Sequence, residues 1–217
     1  MEIITDSVNK QMYELLRWEI LSGKYKVGER IDSKGIAKEN GVSVMPVRNA
    51  LQRLTSDGLV VNKERVGFYV KEFTASEIAE IIDARKMFEV YCLSTYFTQI
   101  NEERARQLYD KFECYDELTP DALSKLDSEL HRMFVEISNN SILMDTYEKL
   151  SAMFSLGYFV GYENTDIANQ EHLAILEAVL KKDKVTAVDE LEKHLERVHD
   201  EITTLYNNRK NIKEKIV

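Results

Sequence analysis

Ile36-Ala37-Lys38-Glu39-Asn40-Gly41-Val42-Ser43-Val44-Met45-Pro46-Val47-Arg48-Asn49-Ala50-Leu51 reads as helix, tight turn, helix. Asn40 and Gly41 both tolerate a left-handed backbone, so the pair ends the first helix sharply. Ser43 is the expected side-chain cap of the second helix, and Pro46 is tolerated in its first turn, where an amide hydrogen has no helical acceptor. Val47, Leu51 and Leu54 recur at helical spacing, and Asp57-Gly58 stops the run.

Outward from this stretch the pattern extends in both directions. Upstream, Asp32 is placed to cap the short helix that ends at Glu39. Before it, Val8 to Leu21 carries Met12, Leu15, Leu16 and Ile20 as a helical stripe that Gly23 terminates. Downstream, Leu59–Val61 and Phe68–Val70 are two short β-rich stretches, joined by Asn62-Lys63-Glu64-Arg65-Val66-Gly67 as a hairpin with a basic tip. Three helices followed by a hairpin is the order of a winged helix-turn-helix, assigned here to residues 1–73.

Residues 74–217 have a different texture. Only Gly157, Gly161 and Pro120 interrupt them, so long helices are expected. Thr74-Ala75-Ser76-Glu77 is a capping-box pattern. Six helices are predicted, over 75–98, 102–116, 120–138, 141–161, 166–181 and 184–207, with the charged stretch from Arg209 to Lys215 frayed. Thr119-Pro120 and Asn139-Asn140 mark breaks. The fold class is therefore mainly α: an N-terminal winged helix-turn-helix and a C-terminal all-α antiparallel helical bundle.

Composition narrows the function. Of 217 residues, 44% are hydrophobic, enough for a sizeable core. No run approaches the roughly 20 apolar residues of a membrane span. Met1 to Asp6 lacks the basic-then-apolar pattern of a secretory signal. Cys92 and Cys114 have neither metal-site spacing nor scaffold density, so a cytoplasmic protein with reduced thiols is expected. The net charge of −9 is unevenly spread. Through Phe73 there are 12 Lys and Arg against 10 Asp and Glu; the remainder holds 17 against 28. A slightly basic head on an acidic body suits a DNA-binding head.

The ordered set Ile36-Ala37, Gly41-Val42-Ser43, Pro46-Val47-Arg48-Asn49-Ala50-Leu51, Leu54, Asp57-Gly58-Leu59-Val60 and Val66-Gly67-Phe68-Tyr69-Val70 resembles the GntR family of bacterial transcription regulators. The later residues Arg85, Glu89, Asp127, His131, Asn140, Leu143, Glu171-His172, Ile175-Leu176, Ala178, Asp183, Ala187 and His194 resemble the helical effector domain of the family's FadR-type branch, the FCD domain. For the head, the resemblance implies that Arg48 contacts DNA from the recognition helix and that Lys34 does so from the start of the preceding helix. Ser43 is placed to donate to a phosphate, and Lys63, Arg65 and Gly67 lie in the wing. Many relatives have Arg-Thr where this chain has Val44-Met45. A base-reading donor is missing there, and apolar contact with a thymine methyl is the expected substitute. Gly35 and Asn49 also replace commonly acidic positions.

In the body, Asp127 and His131 are four residues apart and leave one helix face together. With His172 and His194 they form a carboxylate and three imidazoles, a set suited to Zn²⁺, Ni²⁺ or Mn²⁺. The FCD resemblance assigns these same four residues as metal ligands. Arg85 has two readings: an intrahelical salt bridge with Glu89, or, from the resemblance, an arginine gripping an effector carboxylate. Tyr91, Tyr158 and Tyr162 are either cavity-lining or core residues, and His199 is read as surface. The expectation is a homodimeric repressor that binds a palindromic double-stranded DNA operator and responds to a small carboxylate held at the metal. Two alternatives remain: a regulator that senses the ion itself, and a metal-dependent hydrolase or lyase, which the lack of an HExxH motif disfavours.

Overall fold

A computed structural model describes residues 5–158 and 165–215. The chain folds as two compact units, Met1–Phe73 with Ala152–Val160, and Thr74–Ser151 with Gly161–Val217. Among the described residues no helix is long and apolar enough to cross a membrane.

The first unit contains α1 (Thr5–Leu21), β1 (Arg30–Ile31), α2 (Ser33–Glu39), α3 (Val44–Ser56), β2 (Val60–Lys63) and β3 (Gly67–Val70). Leu16 and Ile20 from α1 and Val47, Leu51 and Leu54 from α3 are fully buried, so the helical stripes face one another as their spacing requires. Asp32 caps α2 by accepting from the Lys34 amide at 3.0 Å. A Cβ on Gly35 would lie 2.7 Å from that Asp32 carboxylate, so the glycine makes room for the cap.

Two features depart from the sequence reading. Ser43 does occupy the N-cap position of α3, with an extended backbone, but its side chain makes no capping hydrogen bond. The hairpin also gains a third strand. β1 pairs antiparallel with β3, Ile31 opposite Phe68, giving the order β1-β3-β2. Two residues are too few to display strand periodicity; Ile31 belongs to the sheet because its side chain is buried there.

The second unit is built from α4 (Ala75–Tyr96), α5 (Glu102–Glu113), α6 (Pro120–Glu136), α7 (Ser141–Tyr158), of which the part up to Ser151 belongs here, α8 (Thr165–Leu180) and α9 (Lys184–Lys215). The capping box forms: the Glu77 amide donates to Thr74 Oγ1 at 3.2 Å, and the Thr74 amide donates to the Glu77 carboxylate at 2.8 Å. α4 and α5 end earlier than expected and pass into 3₁₀ turns at Phe97–Gln99 and Tyr115–Glu117. α9 instead outruns its expected end and continues as helix through Arg209 to Lys215. No glycine or proline interrupts the sequence of this helix. Asn140 starts α7 by accepting from the Ile142 and Leu143 amides at 3.0 and 3.2 Å. α9 packs along α4 and α8, and α6 packs against α4 and α5. Leu93, Phe112, Leu130, Phe134, Ile175 and Leu191 fill the centre.

Candidate functional site

Three helices of the second unit each deliver one histidine to a common point: His131 from α6, His172 from α8 and His194 from α9. All three are at most 3% exposed, and one ring nitrogen of each lies within 4.8 Å of the others. His172 Nε2 and His194 Nε2 are 3.3 Å apart. Asp127, one turn before His131 on α6, brings Oδ1 to 3.7 Å from His131 Nε2 and 3.5 Å from His172 Nε2. The structure thus brings together all four residues singled out from sequence. The rings contact one another, with His131 and His194 stacked at 5.2 Å between centroids, and Phe112 lies against His172 at 4.9 Å.

The surrounding charges are arranged in two groups. On one side Glu89 of α4 is completely buried. One of its oxygens lies 2.5 Å from His131 Nδ1; the other accepts from the Tyr147 hydroxyl at 2.8 Å and from Arg85 Nε at 3.0 Å. Burial raises the Glu89 carboxyl, but His131 and Arg85 outweigh it and hold the group down at about 2. On the other side Glu171 of α8 faces His194 Nδ1 at 2.7 Å and accepts two parallel bonds from Arg197 at 2.6 Å each. Burial raises this carboxyl too, and its bonds to His194 and Arg197 bring it below the usual range. Burial pushes His172 well below the ordinary imidazole range, and the neighbouring rings add to it. It lowers His194 as well, against the opposing bond from Glu171.

These observations fit a divalent cation. Imidazole nitrogens can present lone pairs, Asp127 supplies a carboxylate oxygen, and the donors converge where three buried rings meet a partly exposed carboxylate. The Nδ1 of His172 is buried without a hydrogen-bond partner among the described residues, so that ring is oriented by packing and by its neighbours' nitrogens.

Arg85 is 3% exposed and makes the intrahelical bridge to Glu89. Tyr91 is 51% exposed and does not line the site; the side chains of Tyr158 and Tyr162 lie outside the described residues. His199 is half-buried on α9 and pairs with Asp200, apart from the cluster. Sequence reasoning missed the roles of Glu89, Tyr147, Glu171 and Arg197. Glu171 precedes His172 directly, but neighbours on a helix point about 100° apart, so adjacency alone gave no hint that it serves His194.

In the first unit, Lys34, Ser43, Met45 and Arg48 are exposed on α2, at the α3 N-cap and on α3, and Val44 is half-buried beside them. Arg48 is exposed on α3, whose Val47, Ala50, Leu51 and Leu54 are buried. At the wing, Lys63 and Arg65 are exposed and Gly67 is half-buried. Lys63 Nζ sits 4.3 Å over the Tyr69 ring. Arg65 has φ +59°, which places the basic residue at the tight end of the hairpin. Arg30, which carries no sequence signal of its own, donates to the Val66 carbonyl at 3.0 Å and so braces the wing from β1.

Residues 8–70 match the family of bacterial regulatory proteins named for GntR, and residues 80–197 match the FCD domain. The chain belongs to the GntR family of transcription regulators. It is 30% identical over 185 residues to the HTH-type transcriptional regulator YdhC of Bacillus subtilis (strain 168), covering 82% of this chain and 83% of that one. A GntR transcriptional regulator from Rhodococcus sp. RHA1 superposes with a TM-score of 0.80 at 20% identity, over 90% of this chain and 97% of the other. The Zn²⁺-bound FCD domain of TM0439 superposes with a TM-score of 0.53 at 27% identity, over 61% of this chain and 96% of that domain. Membership of the GntR family removes the hydrolase or lyase reading: its members regulate transcription and are not enzymes.

Proposed function

We propose that this GntR regulator is a cytoplasmic, homodimeric repressor whose hold on a DNA operator is set by a small carboxylate bound at a divalent metal in its FCD domain. The observation that carries the reading is the convergence of the buried His131, His172 and His194 on Asp127. These four residues would hold the ion, and the zinc in the FCD domain of TM0439 supports that assignment. Among Zn²⁺, Ni²⁺ and Mn²⁺, three imidazoles and one carboxylate favour zinc or nickel over the harder manganese.

The ion supplies a Lewis-acidic point to which a carboxylate oxygen can bind. Arg85 adds a fixed positive charge near it: its guanidinium is buried, and Glu89 and Asp127 offset the cost of burial. In the head, Arg48 is assigned to the major groove, with Lys34 and Ser43 on phosphates and Lys63, Arg65 and Gly67 in the wing. Val44 and Met45 contribute apolar contacts. A carboxylate that binds one arrangement of the dimer more tightly shifts the population between DNA-competent and incompetent forms.

The experiment is elemental analysis after dialysis, followed by a thermal-shift screen of small carboxylates on zinc-loaded protein. Stoichiometric metal in wild type, lost in the His131→Ala/His194→Ala double variant, is expected. Unchanged metal content in that variant refutes the site, and no stabilising carboxylate refutes the effector.

A further inference from the structure

Each of two histidines in the cluster is backed by a carboxylate that is itself tied down; among the described residues the third, His172, has no such partner. We infer that Glu171 and Arg197 are a positioning pair that fixes His194 with Nε2 facing His172, and that Glu89, held by Tyr147 and Arg85, does the same for His131. This rests on the metal reading given above.

The geometry is specific. Glu171 Oε2 is shared between His194 Nδ1 at 2.7 Å and Arg197 Nη2 at 2.6 Å, while Glu171 Oε1 accepts from Arg197 Nε at 2.6 Å. A planar guanidinium bonded through two nitrogens fixes the plane of the carboxylate as well as its position. Arg197 is in turn held by Glu201 at 2.8 Å, one turn along α9. A carboxylate held in this way selects the ring tautomer with the proton on Nδ1 and leaves the Nε2 lone pair pointing inward. Glu89 repeats the design from a different helix and with a different pair of anchors, a phenol and an arginine.

An ordinary surface ion pair would not show these features. Glu171 and Arg197 lie 26 residues apart on two helices, and their side chains are 22% and 20% exposed. His172 is held differently. Its Nδ1 has no partner among the described residues. Its ring therefore depends on Phe112 and on the two oriented histidines for its pose. The cluster then has two preset ligands and one that adapts to them.

The test is zinc affinity by competition with a chromophoric chelator, for wild type, Glu171→Gln and Arg197→Gln. Glu171→Gln keeps the shape and removes the charge. Losing such an outer partner commonly weakens metal binding about 10- to 100-fold, and that loss is expected here. The melting temperature of the metal-free protein should stay close to wild type. A second readout needs no metal: ¹⁵N spectra of the histidine rings should show His194 protonated at Nδ1 in wild type and a mixture of tautomers in Glu171→Gln. Affinity within twofold of wild type, together with an unchanged His194 tautomer, overturns the proposal. An affinity loss matched by an equal fall in metal-free stability also overturns it, because the pair would then be merely structural. If wild type binds no zinc, the metal reading fails, and the tautomer measurement alone decides the role of the pair. Glu89→Gln is a secondary variant, since Glu89 is completely buried and its replacement risks the fold, whereas Glu171 is partly exposed.

Discussion

Replacing Tyr147 by Phe tests whether the buried charge network is held together as the distances indicate. Tyr147 is 1% exposed, and its hydroxyl donates to Glu89 Oε1 at 2.8 Å. Phenylalanine keeps the ring, so no cavity opens and the large penalties of core truncation do not apply. What is lost is one donor to a completely buried carboxylate that has two other partners, Arg85 and His131. A hydrogen bond to a charged group contributes about 1.5–3 kcal/mol. The upper half of that range is expected, because Glu89 is too deeply buried for solvent to replace the phenol. For a protein of this size 1 kcal/mol shifts the melting temperature by roughly 2–4 °C, so a loss of at least about 2.2 kcal/mol should lower the melting temperature by at least about 4.5 °C. The assay is urea denaturation with a chelator present, so that metal linkage does not contribute, followed by a signal from the helical unit. The midpoint should fall while the slope stays constant. A loss under about 0.5 kcal/mol would show that Arg85 and His131 satisfy Glu89 without the phenol, and the reasoning from burial would fail.

Three further outcomes follow from individual contacts. Arg48→Ala should weaken operator binding by about 1–3 kcal/mol if it reads a base, or lower the salt slope by about one if it meets a phosphate; titration at two salt concentrations by fluorescence anisotropy separates these, and wild-type binding at both removes Arg48 from the interface. Thr74→Ala breaks the capping box of α4 and should cost about 1 kcal/mol in denaturant melts, with Thr74→Ser restoring most of it. Tyr13 donates to Asp57 at 2.8 Å, and burial followed by that bond pushes its phenol up to about 12. A folded value above the unfolded value of about 10 means the contribution is complete below pH 10 and fades as the pH rises towards 12. The stability gap between wild type and Tyr13→Phe should therefore be larger at pH 8 than at pH 11, and an equal gap at both would contradict the assignment.

The elements of the head were legible because their signals are local. Asn40-Gly41, Asp57-Gly58 and the capping residue Asp32 each constrain the backbone within a few residues, and α2 and α3 begin and end where those residues place them. β1 was not legible, since its only claim to strand structure is a partner 37 residues later in the chain. Ser43 shows the limit of reasoning from residue type: it stands at the cap position, yet no side-chain bond forms. The same division governs the proposed metal centre. Asp127 and His131 share a face by helical period, so their pairing is local information. That His172 and His194 join them depends on how α6, α8 and α9 pack, which spacing does not encode; the family resemblance carried that step.

Least legible of all were the groups behind the ligands, and the reason is physical. Glu, Lys and Arg occur throughout these helices, some in solvated pairs such as Lys181 with Glu177. Nothing in the sequence marks Glu171 and Arg197, 26 residues apart on two helices, as partners. The difference is burial and a third partner. A surface pair is weakened by water and salt and contributes little. Glu89 and Glu171 each face a histidine on one side and an arginine on the other, in a region where interactions are less screened. An arginine that neutralises such a carboxylate reduces its ability to attract a second cation. In the proposed metal centre the carboxylate therefore acts chiefly by direction: it would set which nitrogen of the ring is bare and where that nitrogen points. This accounts for a cluster in which Glu89 and Glu171 are already paired with arginines while Asp127 faces two of the histidines, and in which His131 and His194 each have a backing carboxylate.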